Sequence, residues 1–471
     1  MKTKRKRAPS TSKVRRDITG GKRGDGNKRR RAVRRPDPKR IRVGRPDPSL
    51  TAVAGLVMFG IFLRGLGIDN ELREAFGSRK GSGAVYPMGT QLRMLLDMFV
   101  VGEHRVFGLE SLAADALFVR LAGGVIPSLD TVYRDLSRFD KAMIARLERM
   151  MVEQGLADVR GTLKSTTEVH LDIDTTVNPL FCEVGAIEGA EIGPNAKYRG
   201  RPSYHPVLAR IAETDTCVGA LLRPGDTSFG AAEVPLIEAW IDRVREVIGP
   251  DRLMYVRIDA AGDSTEIMSA IHAKGSFYIT KPRLTPDLCG AIATHPTWRT
   301  VDRDADGRPI RQVATIEFRR DEWKKNDLVV RIVAVRSRDR DSGRRVYLWD
   351  DNDYTAQAFL TNDTYSDEDD IAYRYDRRAG IEPLIAEFKS AWGIGKVSSA
   401  NFEANHATLL LKLLTHNLLR RYVNKHLPKL RTWRAPWIRR AVILVPGRMA
   451  RSGRGHTIYM PPRPMLENMR S

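Results

Sequence analysis

"TEVHLDIDTTV", residues 167–177, is the stretch on which the fold turns. Val169, Leu171 and Ile173 alternate with His170, Asp172 and Asp174, the two-residue period of a strand, where the apolar positions of residues 48–150 upstream repeat at three and four. "HPVLARIAET" (205–214) and "CVGALLRPGD" (217–226) read as further strands, "AAEVPLIEAWIDRVREVIG" (231–249) as an amphipathic helix, and "LMYVRIDAAGDS" (253–264) as another strand. The order β-β-β-α-β predicts three antiparallel strands, a crossover helix and a returning parallel strand. If the first and last of these strands are neighbours, Asp174 and Asp259 leave the sheet at one edge, where open α/β sheets place their ligands.

Working outward, residues 48–160 read as a helical domain. Its helices are expected in "LTAVAGLVMFGIFLRGLG" (50–67), "MGTQLRMLLDMFVVG" (88–102), "GLESLAADALFVRLAG" (108–123) and "PSLDTVYRDLSRFDKAMIARLERMMVEQG" (127–155). Ser128 can cap the last of these, and Arg134 and Arg138 then share one face. That basic face suits DNA binding in a helix-turn-helix manner, against the plainer alternative that the helix simply packs. The most apolar run, 51–68, is interrupted by Arg64 after about 13 residues, short of the roughly 20 that span a bilayer, and reads as a buried core helix.

Downstream, "GSFYITKPR" (275–283), "PIRQVATIEFRR" (309–320), "DLVVRIVAVRSR" (327–338) and "RRVYLWDD" (344–351) are short β-rich runs. They are expected as hairpins inserted into one domain. "AQAFLTND" (356–363) reads as a last core strand, "NFEANHATLLLKLLTHNLLRRYVNKHL" (401–427) as a long apolar helix, and "AVILVPGRMARSGRGHTIYM" (441–460) as a basic hairpin. The expected division is a basic arm (1–47), a helical domain (48–160), the first part of an α/β core (161–265), a β-rich insertion (266–352), the second part of the core (353–425) and a basic C-terminal segment (426–471).

Of the formal charge of +22, the first 47 residues carry about +16, with 20 Lys/Arg against four Asp. Such an arm lacks apolar periodicity and is expected to be disordered. It suits phosphate backbones through counterion release, with RNA, an anionic membrane or mere solubility as the alternatives. It lacks the apolar stretch of a signal peptide. Three cysteines without paired spacing fit a reducing cytoplasm.

Two strand-end aspartates need a third carboxylate to make an oxygen cage for Mg²⁺ or Mn²⁺. Two such ions are suited to activating a water or a 3′-hydroxyl against a phosphodiester. Among 57 acidic residues, strand-end Asp also occurs by accident. "YDRRAGIEPLIAEFK" (375–389) offers Glu382. On one helix Arg378, Glu382 and Lys389 would fall within roughly 40° of one another, and Tyr375 within about 60°. Pro383 disfavours helix at Glu382, so the helix is expected to start or kink there.

Tyr375, Arg378, Glu382 and Lys389 at this spacing match the Y-R-E-K signature of bacterial insertion-sequence DDE transposases, the group-one transposase DDE domain. "DIDTT" and "VRIDAAGDS" resemble the two Asp motifs that precede it, and "RPGDTS" (223–228), "SYHPVL" (203–208) and "FEANHATLLLKLLTHNLLR" are similar to further segments. The likeness covers about residues 50–465. It implies an α/β fold with a ribonuclease-H-like catalytic core interrupted by a β-rich insertion, and cut-and-paste transposition with a divalent metal. Asp174, Asp259 and Glu382 would be ligands, Arg378 and Lys389 would contact phosphate, and Tyr375 would help position the DNA end. Asp172 shares a strand face with Asp174, so the choice of ligand stays open, with Asp174 preferred because "DTT" follows the family pattern. The partners implied are double-stranded DNA, both inverted-repeat ends and target, and a second copy of the chain in a synaptic dimer, in the cytoplasm and on the nucleoid.

In related transposases a Trp of the insertion stacks on a flipped base. Trp298, Trp323 and Trp349 are the candidates, Trp323 first for its neighbours Lys324 and Lys325. "GIGK" (393–396) lacks the first Gly and the final Ser/Thr of a phosphate loop, so no ATP site is expected. A catalytically inactive DNA-binding relative and a nuclease that cuts without joining are the alternative functions.

Overall fold

A computed structural model describes residues 41–81, 83–164, 166–195, 198–338, 354–453 and 455–462. "RRVYLWDD", Trp349 and residues 1–40 of the basic arm lie outside the described residues. The chain divides into two compact units, residues 1–47 and 48–471, and every element below belongs to the second.

Among the described residues a mixed sheet of nine strands runs through this unit. Its strands are β1 (Glu168–Thr175), β2 (Val207–Ile211), β3 (Thr216–Leu221), β4 (Leu253–Arg257), β5 (Phe277–Thr280), β6 (Arg299–Arg303), β7 (Pro309–Ile316), β8 (Arg331–Ser337) and β9 (Thr355–Thr361). Their spatial order is β6-β7-β8-β9-β5-β4-β1-β2-β3. β1 pairs antiparallel with β2 and parallel with β4, as the β-β-β-α-β order predicts. "FYIT", however, is not an inserted hairpin but β5, parallel to β4. The crossover between them is an unforeseen helix, Thr265–Ala273, capped by Ser264. The strands from 299 onward then continue the same sheet, because β9 pairs with β5 on one side and β8 on the other.

The helices used below are α1 (Leu56–Gly65), α2 (Ile68–Phe76), α3 (Met88–Val101), α4 (Leu129–Leu136), α5 (Lys141–Leu156), α6 (Val234–Ile248), α7 (Thr265–Ala273), α8 (Glu368–Asp376), α9 (Ile381–Ala391) and α10 (Phe402–His426). The long helices expected at 108–123 and 127–155 are each broken by an aspartate. Asp115 accepts from the amides of Leu117 and Phe118, and Asp140 from that of Met143. A carboxylate at such a position satisfies helix-start donors better than a continuing turn can. Among the described residues no helix is long and apolar enough to cross a membrane.

α10 is buried nearly all round and packs on α5, α3 and β3. Its polar residues are matched by specific partners. Asn417 accepts from the Cys217 amide at 2.9 Å and donates to the Met151 and Cys217 carbonyls, both at 2.8 Å. Gly155 permits this junction, since a Cβ there would lie 2.3 Å from the Cys217 oxygen.

Candidate active site

Register brings the aspartates together. Asp172 on β1 stands opposite Arg257 on β4, and two residues further along these parallel strands Asp259 comes level with Asp174. Asp259 has just left the sheet. Its carboxylate caps the turn Ala260–Gly262, accepting from the Ala261 amide at 3.0 Å. Asp174 is largely buried and lies 3.2 Å from Arg378, and it accepts from the Thr175 amide at 3.0 Å. Burial, with the charge of Asp259 added, pushes the Asp174 carboxyl up to about 6, against the pull of Arg378.

Asp172 serves a different purpose. It is fully buried, and both flanking strands present arginines to it. Arg210 donates to one oxygen at 3.1 Å and Arg257 to the other at 2.6 Å. With both oxygens committed, Asp172 is a structural counter-ion, and Asp174 is the aspartate of β1 left facing the edge.

The third carboxylate arrives on a broken helix. α8 ends at Asp376, a turn of 3₁₀ helix covers Arg377–Gly380, and α9 starts at Ile381. Pro383 falls in the first turn of α9, where its missing amide costs nothing. The single-helix arithmetic therefore holds for Glu382 and Lys389 but not for Tyr375 and Arg378. Packing brings those two in instead. Arg257 donates to the Arg374 carbonyl, pinning α8 to β4. Arg378 donates to the Ile173 carbonyl at 3.4 Å and lies over the Tyr375 ring at 5.9 Å. Lys389 donates to the Val177 carbonyl at 2.9 Å, tying α9 to the exit of β1.

Tyr375 is buried beside Arg378. Burial, then the charges of Asp259, Asp174 and Glu382, push its phenol up to about 12, with Arg378 opposing. One hydroxyl thus lies in the field of all three carboxylates. Glu382 itself is exposed at the start of α9. Among the described residues no three His, Cys, Asp or Glu side chains are gathered closely enough to hold a metal ion. The donor chemistry nonetheless suits a divalent cation. Asp174 and Asp259 repel one another in a half-buried site beside Arg378, and hard carboxylate oxygens select Mg²⁺ or Mn²⁺ over softer metals.

Sequence reasoning missed Lys281. It follows β5 directly, and its ammonium lies 5.5 Å from the Tyr375 ring centre. The available signal was positional: it ends its strand at the same edge as the aspartates. Trp323, expected to meet DNA, is corrected. It is fully buried beneath Arg320, 4.5 Å away, so its face is not offered to a base. Trp298 is half-buried with Arg336 over its ring at 4.4 Å. Arg134 is exposed on α4, but Arg138 lies beyond the end of that helix, paired with Asp135 at 3.2 Å.

Two strand-end aspartates and a helix-borne glutamate on a mixed α/β sheet are the residue types that DDE phosphoryl-transfer proteins use. The chain belongs to the transposase DDE domain group 1 family, whose pattern matches residues 35–468. Among solved structures it is similar to a piggyBac transposase in a synaptic complex with hairpin DNA, at 11% identity and a TM-score of 0.43, over 82% of this chain and 78% of that one. No curated protein matches the sequence.

Proposed function

We propose that this transposase cleaves the ends of its element and joins the freed 3′-hydroxyls to target DNA by cut-and-paste transposition. The observation that carries the reading is the family match over residues 35–468, together with Asp174 and Asp259 at the ends of neighbouring parallel strands beside Arg378. The strand order β3-β2-β1-β4-β5, with β1, β4 and β5 parallel, supports a ribonuclease-H-like core. The three carboxylates would hold divalent ions, Mg²⁺ or Mn²⁺, and a pair of such ions supplies charge stabilisation to the attacking and leaving oxygens of an in-line displacement.

The remaining residues do what positioned cations and walls do. Arg378, Lys389 and Lys281 ring the site and would fix the phosphates on either side of the scissile bond, with fixed charges in a half-buried site worth more than in water. Tyr375, held neutral, would line the path of the DNA end. The exposed Arg134 and Arg138 would hold DNA outside the site, and a second copy of the chain would pair the two ends. The work would be done in the cytoplasm, on the nucleoid.

The test is a combined cleavage and strand-transfer assay on element ends. Cleavage followed by joining, both abolished in Asp174→Asn and Asp259→Asn, supports the reading. Ends bound but never nicked would mark an inactive DNA-binding relative, and ends cut but never joined a nuclease.

A further inference from the structure

Behind α9 lies a polar cavity of about 290 Å³, at the lower end of small-ligand sites. Pro383, Leu384 and Glu387 form its α9 wall. They lie roughly 100–200° round the helix from Glu382, so the cavity is on the opposite face from the carboxylate centre. Five arginines line it: Arg210, Arg257, Arg377, Arg420 and Arg434. Guanidinium groups stay charged in any surroundings.

The acids facing them are fewer. Asp172 lies beneath Arg210 and Arg257. Asp215 is 2.6 Å from Arg210 and 3.9 Å from Arg420. Glu387 accepts from the Ala435 amide at 2.8 Å, and burial pushes its carboxyl up. His416 bonds the Asp215 carbonyl through Nε2 at 2.7 Å, and burial keeps it neutral. Three acids against five guanidiniums leave a surplus of positive charge. One buried donor nitrogen of a lining residue, Arg420 Nε, has no hydrogen-bond partner among the described residues.

We propose that this cavity binds a phosphate-class anion and that its occupancy braces α9 from behind. The anion is either a free phosphate or a phosphodiester of bound DNA; charge surplus, size and the unpartnered guanidinium nitrogen of Arg420 suit both. Arg377 and Arg434 are exposed at the rim, so replacing them leaves the interior intact.

The experiment uses the full chain, its Arg377→Ala/Arg434→Ala double variant, and Arg120→Ala as an exposed control. Melting temperature is followed against inorganic pyrophosphate, and duplex DNA affinity is measured on the same three proteins. The basic arm is present in all three, so its contribution cancels. A saturable rise with pyrophosphate in the parent and control, weakened at least tenfold in the double variant, supports a free phosphate. A tenfold loss confined to duplex affinity supports a phosphodiester. If the double variant matches the control in both, the proposal is overturned. Neither readout involves cleavage, so that result would leave the roles of Asp174, Asp259 and Glu382 untouched.

Discussion

Asp172 and Asp174 stand two residues apart on one strand, and opposite results are expected on removing their charges. Asp172→Asn leaves two buried arginines short of their counter-ion, which costs about 3–5 kcal/mol; denaturant unfolding measures it. Asp174→Asn removes a carboxylate that is itself held at a cost, since its folded value of about 6 lies above the ordinary one. Its stability at pH 8 is expected to equal or exceed that of the parent while end cleavage is lost. Trp323→Ala empties a fully buried site and should cost about 3–5 kcal/mol. The alternation at 167–177 made both aspartates visible, but not their difference. That difference comes from Arg210 and Arg257 on neighbouring strands, a long-range pairing that local periodicity does not carry.

At the scale of elements, α10 imposes a pH dependence. Burial pushes His406 down to about 4 and His416 to about 3, so the unfolded chain takes up these protons first as pH falls below about 6.5. Their contribution to stability is complete above that pH and drains away through about 4 and below. Lys412, pushed down to about 7 by burial, acts in another window, and stability should rise with pH from about 7 towards 10.5. Unfolding midpoints across pH are expected to slope less below 6.5 in His416→Gln and less above 7 in Lys412→Met. The elements best read from sequence are those whose burial is local. The start of α9 is legible because Pro383 acts on its own turn. The breaks at Asp115 and Asp140 are available as caps, but apolar spacing on either side masks them.

For the whole molecule, the expected insertion and core share one sheet. β5 escapes a sequence reading because "FYIT" is too short to reveal its partner, and pairing with β4 follows only once α7 is seen to cross over. The positions of the three carboxylates in the fold are legible, since two strand ends and one helix start can be read locally; Lys281 and the cavity behind α9 depend on tertiary packing. The basic arm has a separable effect. Deleting residues 1–47 removes 20 of 79 Lys/Arg. It should weaken duplex binding and flatten the salt dependence by about 0.9 for each phosphate the arm no longer neutralises. The unfolding midpoint of the rest should hold, because the second compact unit begins at Pro48.

The most direct test is Mg²⁺-dependent cleavage of element ends by Glu382→Gln. Glu382 is exposed at the start of α9, so the substitution should leave the fold and end binding intact. The predicted result is a loss of cleavage of at least about 10²-fold with unchanged melting and unchanged DNA affinity. Cleavage at the parent rate would contradict the assignment of Asp174, Asp259 and Glu382 to one catalytic centre.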